Sequence, residues 1–213
     1  MAGNPTGADE PEDHEAHPRL EGLADLVFGL ALSIGAVFLI GSPPNTVPQL
    51  AGDVAEFGFS FLVLISVWLR YTRTMSVLRI EARWAVQLNI VLLFLVAIEP
   101  FLFNVAFTRA TQNAASGFAN LVTAVYAVNL GSLNACLAAL TAVASRQLLV
   151  RARPSHSVRF REQSRYLGLA SGFFFLSALP WFYDWTFLGG ALNARFLLWL
   201  VPLVVVRFWQ RPS

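Results

Sequence analysis

The stretch Arg70–Phe107, RYTRTMSVLRIEARWAVQLNIVLLFLVAIEPFLFNVAF, decides the fold. Arg70, Arg73, Arg79 and Arg83 come first, followed by an apolar run over 84–107 whose one ionisable residue is Glu99. About 20 apolar residues in a helix cross a hydrocarbon core. Basic residues crowd the cytoplasmic side of such crossings. The stretch therefore reads as a cytoplasmic connection that enters a membrane span. Working outward, further apolar runs lie at 20–41, 53–69, 115–143, 166–183 and 186–206. The connection at 42–56 has no arginine but holds Asp53 and Glu56, and the one after the quoted run has only Arg109. The next carries Arg146, Arg151, Arg153, Arg159, Arg161 and Arg165. The fifth has Asp184, with Arg195 just inside the last run, and Arg207 and Arg211 follow that run. Positive charge thus alternates from side to side. This predicts an all-α membrane protein of six transmembrane helices with both termini cytoplasmic.

Composition agrees. Of 213 residues, 56% are hydrophobic, against ~45–50% in an ordinary soluble domain, and the mean hydropathy is +0.57. The pI of about 9.1 does not mark a nucleic-acid binder, because the arginines sit at membrane boundaries, where topology accounts for them. Residues 1–18, MAGNPTGADEPEDHEAHP, are acidic and rich in Pro and Gly, and read as a disordered cytoplasmic tail. That leaves 19–213 as one transmembrane domain. Cys136 is the single cysteine, expected as a small packed residue. Small residues crowd the fourth run (Ala119, Ala124, Ala127, Gly131, Ser132, Ala135, Ala138 and Ala139) and predict close helix packing. Pro100 predicts a kink in the third run, and Pro180 and Pro202 in the fifth and sixth. The polar stretch 151–165 reads as a cytoplasmic connection near the headgroups.

Ionisable groups inside spans cost ~2.5–3.5 kcal/mol each on insertion scales. Asp25 lies in the first turns of the first helix. Either it is solvated there and offsets the helix N-terminus, or it is an internal acceptor that ties the first helix to Trp68, Tyr71, Arg73 and Asn89. Glu99 faces an outer vestibule, pairs with Arg109 or Arg195, or is a protonated or interface-solvated carboxyl at a bent helix. The three histidines, His14, His17 and His156, all fall outside the runs. No HExxH, GxSxG or paired-carboxylate pattern occurs. No enzyme activity, cofactor or metal site is expected.

The first span opens Arg19-Leu20-Glu21-Gly22-Leu23-Ala24-Asp25. This resembles the signature of the transmembrane-protein-175 family of potassium channels, in which an Arg is followed after three residues by Phe-Ser-Asp. Here Leu23-Ala24 replace Phe-Ser. Ser60-Phe61, Trp68 and Tyr71-Thr72 lie where the family shows Ser-Phe, Trp and a pair of His. Asn89, the Leu-rich run after it and Pro100-Phe101 also fit. The resemblance covers about 19–108.

The resemblance implies a prokaryotic plasma-membrane channel that assembles as a homotetramer in the lipid bilayer. Four copies of the first helix would line a central pore permeable to potassium ions. No TVGYG-like carbonyl filter is present. Carried over by distance from Asp25, the apolar constriction falls on Leu30, the hydroxyl layer on Ser33 and a second apolar ring on Val37. Arg19, Asp25, Trp68, Tyr71 and Asn89 would form the signature and anchor the helix. Residues 30, 33 and 37 share one helical stripe, and Asp25 lies ~140° from Leu30, so one helix can show Leu30 to a pore and Asp25 to its neighbours. The competing reading is a secondary transporter of an ion or small solute, with broken helices and a midplane site.

Overall fold

The computed structural model describes residues 13–41, 44–78, 83–109, 116–150, 154–183, 185–187, 192–193, 195, 197–199 and 201. Five long helices carry the fold: α1 (Asp13–Gly41), α2 (Val47–Met75), α3 (Arg83–Asn104), α4 (Ser116–Val150) and α5 (Pro154–Ser177). A π-helical turn at Val105–Arg109 continues α3. Among the described residues, three helices are long and apolar enough to cross a membrane: Val47–Met75, Arg83–Phe107 and Gly117–Val150. The described apolar part of α1, Gly22–Phe38, is shorter. The molecule therefore has the character of an all-helical membrane protein.

Local chemistry explains where the helices begin. Thr46 is extended and caps α2, its Oγ1 accepting from the Gln49 N–H at 3.4 Å, while Gln49 Oε1 accepts from the Asn45 N–H at 3.0 Å. Thr46 thus caps the helix through its side chain, Gln49 reaches back to the residue before the cap, and a proline in the first turn suits a helix start. The Ser76 N–H closes the other end on Thr72 O at 3.0 Å. The third run's proline sits inside α3 rather than ending it. Its missing N–H frees the carbonyl one turn back, and the chain passes into the π-helical turn a few residues later.

Several sequence expectations need correction. Helix α1 begins at Asp13, inside the stretch read as a tail. Helix α5 begins at Pro154, so most of the polar connection 151–165 is helical, and it ends at Ser177 rather than 183. Pro180 does not kink that helix; it opens a 3-10 turn, Pro180–Phe182, after the end. The sixth run does not start as a helix. It starts as a two-stranded ladder, β1 (Thr186–Phe187) against β2 (Leu192–Asn193), pairing Thr186 with Asn193 and Phe187 with Leu192. Pro202 lies outside the described residues.

The core gathers where α4 meets α5 and α3, and where α3 meets α1. Along the α4–α5 hairpin, serines recur every seven residues on α5. Ser157 Oγ donates to Ser145 O at 2.9 Å, Ser164 Oγ to Ala138 O at 2.8 Å and Ser171 Oγ to Gly131 O at 2.8 Å. Ser145 Oγ returns a bond to Ser157 O at 2.9 Å. A period of seven keeps one seam facing the partner helix. Small residues let the backbones approach closely enough for a serine to reach a carbonyl on the other helix. The expectation of close packing on the fourth run is met here, and Cys136 is buried and free. A Cβ on Gly131 would lie 3.0 Å from the Phe175 ring. Gly131→Leu is therefore expected to wedge the helices apart and cost ~1–3 kcal/mol, read as a lower Tm in detergent, with Gly131→Ala losing less.

Candidate pore-lining face and its anchor

Helix α1 has two faces. Ala24, Phe28 and Ala31 are no more than 2% exposed and seat it against α2 and α3. On the opposite side Leu26, Leu30 and Val37 are 73%, 59% and 60% exposed. Ser33 and Gly29 are exposed with them. At 100° per residue, positions 26, 29, 30, 33 and 37 fall on one stripe, opposite 24, 28 and 31. The three sequence-derived pore positions, Leu30, Ser33 and Val37, are thus brought together on the face that α1 turns away from its own bundle. A Cβ on Gly22 or Gly29 would meet nothing within 4 Å, so this face also has room for a close neighbour.

Ser33 is held in one state. Its Oγ donates to Gly29 O at 2.8 Å. A serine hydroxyl has one proton and two lone pairs. With the proton on its own backbone, Ser33 presents only acceptor lone pairs outward.

Asp25 is the anchor. Its Oδ1 accepts from Trp68 Nε1 at 3.0 Å, tying α1 to α2. Bonds to charged acceptors are about twice as strong as neutral ones. One turn along, Phe28 packs on Tyr71 with ring centroids 5.7 Å apart. Of the partners expected for Asp25, Trp68 is the one seen to bond it. Tyr71 serves through its ring, and Arg73 is exposed. Asn89 is fully buried, and its amide O and N have no partner among the described residues. Arg19 lies within α1, with its side chain outside the described set.

A second polar centre sits behind this face. Glu99 is 0% exposed on α3. Tyr126 Oη on α4 donates to its Oε1 at 3.0 Å. Ser60 Oγ on α2 lies 3.1 Å from Oε2 and 3.3 Å from Oε1. Tyr126 is walled in by Phe103, Phe107 and Trp199, with centroids 5.7, 5.8 and 5.6 Å away. Glu99 is thus buried between three helices rather than facing the expected outer vestibule. Arg195 instead lies 3.5 Å over the Tyr183 ring and donates to Asn120 O at 3.4 Å, and the Arg109 side chain lies outside the described residues. Sequence reasoning did not single out Tyr126, and it took Ser60 only as part of the Ser-Phe pair of the resemblance. No spacing rule links residues this far apart in the chain.

Among the described residues, no group of three or more His, Cys, Asp or Glu could hold a metal ion. No protein-family model, curated protein or solved structure matches this chain.

Proposed function

We propose that the chain is a potassium-permeable channel in which four copies place α1 around a central pore. The observation that carries this reading is the two-sided α1, buried through Ala24, Phe28 and Ala31 and turned outward through Leu30, Ser33 and Val37. An outward stripe that combines bulky apolar groups, a hydroxyl and a glycine suits an axis shared by copies. Four Leu30 side chains closing on that axis would exclude water and form a hydrophobic constriction. Ser33, one turn further along, would add four oxygen acceptors, because its proton already rests on Gly29 O. An ion that crosses must shed part of its water. Potassium holds its shell less tightly than sodium, so an apolar constriction followed by acceptor oxygens favours potassium without a carbonyl filter. The charge alternation supports six crossings with both ends cytoplasmic, and the family resemblance supports a prokaryotic plasma membrane.

The test has two arms. Native mass spectrometry in nanodiscs should give a tetramer; a monomer or dimer overturns the assembly. Planar-bilayer recording under bi-ionic potassium and sodium should give a reversal potential displaced towards potassium. Ser33→Ala should cut the permeability ratio by about 3-fold, the worth of under 1 kcal/mol, and leave conductance nearly unchanged. Saturable, coupled solute uptake by a monomer would instead support the transporter.

A further inference from the structure

We propose that Glu99, Ser60 and Tyr126 form an intramembrane proton-binding site that joins α2 and α4 to the proline-containing end of α3 and controls how α3 backs α1. The proton site stands on its own geometry. Its effect on current rests on the channel reading above.

Both carboxyl oxygens of Glu99 are engaged, among the described residues by hydroxyls alone. The groups that face it are Ser60 from α2 and Tyr126 from α4, with the rings of Phe103, Phe107 and Trp199 around Tyr126. The nearest other acid in register is Glu56, one turn before Ser60 on α2. Among the described residues, no arginine pairs with Glu99. A buried charge without a basic partner is costly, and a carboxyl inside a bilayer is a functional candidate for that reason.

The two hydroxyls have different roles. A hydroxyl can donate or accept by rotating. With Glu99 ionised, Ser60 and Tyr126 both donate to the carboxylate. When Glu99 takes a proton from water, Oε2–H can donate to Ser60 Oγ across the same 3.1 Å. The Ser60 proton then swings to a carbonyl one turn back on its own helix, as buried serines do. Tyr126 keeps donating to Oε1 at 3.0 Å in both states. The clamp is therefore satisfied with and without the proton, as reversible binding needs.

The site also sits where α3 is least stiff. Pro100 is the next residue, and its missing N–H removes a helical bond. The π-helical turn at Val105–Arg109 follows, and such turns recur at functional points in helices. Helix α3 packs against α1 on one side and α4 on the other. Reversing the Ser60 bond changes how firmly α2 holds the soft end of the helix that supports α1.

The experiment is infrared difference spectroscopy of the protein in nanodiscs between alkaline and acidic buffer. The other Asp and Glu residues also protonate in acid, so the band sought is the carboxylic-acid carbonyl stretch, shifting in D2O, that wild type shows in excess of Glu99→Gln. Glu99→Gln should fold, because the amide can still accept from Tyr126 and donate to Ser60. Ser60→Ala should keep the band but move its midpoint by about one pH unit. A wild-type spectrum without that excess over Glu99→Gln overturns the site. An unmoved midpoint in Ser60→Ala removes Ser60 from it. If Glu99→Gln does not fold, N,N′-dicyclohexylcarbodiimide, which modifies protonated carboxyls in bilayers, should label wild type at Glu99 in acid and not in alkali; no labelling is equally fatal. In recordings, the pH dependence of potassium current should vanish in Glu99→Gln, and its persistence refutes the control of α3. Absence of any current strikes the channel reading alone, since the infrared measurement needs no conduction.

Discussion

Leu30→Asn is expected to raise potassium conductance by about tenfold or more and to draw the bi-ionic reversal potential towards zero. A tenfold rise corresponds to ~1.4 kcal/mol off the barrier. The barrier at an apolar constriction comes from excluding water around the ion. An amide at position 30 donates and accepts hydrogen bonds, so on the proposed pore axis it would hold water where Leu30 would expel it. Potassium and sodium would then pass with more of their shells, and the difference between them would shrink. Leu30 is exposed on its own subunit, and no described neighbour within the chain should suffer from the change. Folding and assembly should accordingly match wild type by size-exclusion chromatography. Unchanged currents with an intact tetramer would take Leu30 off the pore axis, and Ser33 and Val37 with it, because the three share one stripe.

Asp25→Ala should act in the opposite way, on assembly more than on permeation. The Trp68 Nε1–H loses its acceptor at 3.0 Å. Hydrogen bonds to charged groups contribute about 1.5–3 kcal/mol, and every subunit of a tetramer would lose one. The seat of α1 is otherwise built largely from two alanines and a ring contact, Phe28 on Tyr71. Its hold is shallow enough for the bond to matter. The expected result is a lower Tm and a larger monomer fraction, with an unaltered reversal potential in the channels that survive. A double-mutant cycle of Asp25→Ala with Trp68→Phe should give a coupling of about 1–2 kcal/mol. An Asp25→Ala tetramer of normal Tm that has lost potassium preference would overturn the anchoring role.

What was legible in the sequence follows from where the physics is local. The described parts of the apolar runs at 53–69, 84–107 and 115–143 lie in long helices, because hydropathy and the need to pair backbone groups act along one segment. The Asp25 bond was legible as a carboxylate at the opening of an apolar run that needs a partner, although α1 itself starts well before it, at Asp13. Helix 154–165 was not legible as a helix. It is Arg-rich and polar, and its stability comes from α4 through Ser157 and Ser164, a partner no window contains. The seven-residue spacing of Ser157, Ser164 and Ser171 was a signal available to find it. The ladder at 186–193 was hidden under an apolar run, although Gly189-Gly190 between Phe187 and Leu192 is a hairpin signal. The Glu99 clamp was beyond reach, because Ser60 and Tyr126 meet it only after three helices have packed.

The serine seam of the α4–α5 hairpin has a consequence for how this chain can vary. At Ser164 and Ser171 the donors are side chains on α5 and the acceptors main-chain carbonyls of α4, while at the remaining rung Ser145 on α4 and Ser157 on α5 each donate to the other's carbonyl. A carbonyl is present whatever residue stands at 131, 138 or 145. At 131 and 138 on α4, mutation is limited by size, most tightly at Gly131, where a Cβ would already lie 3.0 Å from the Phe175 ring. On α5, each serine must keep a hydroxyl of the right reach. The two halves of one contact thus drift under different constraints: one helix is held to a volume, the other to a chemistry.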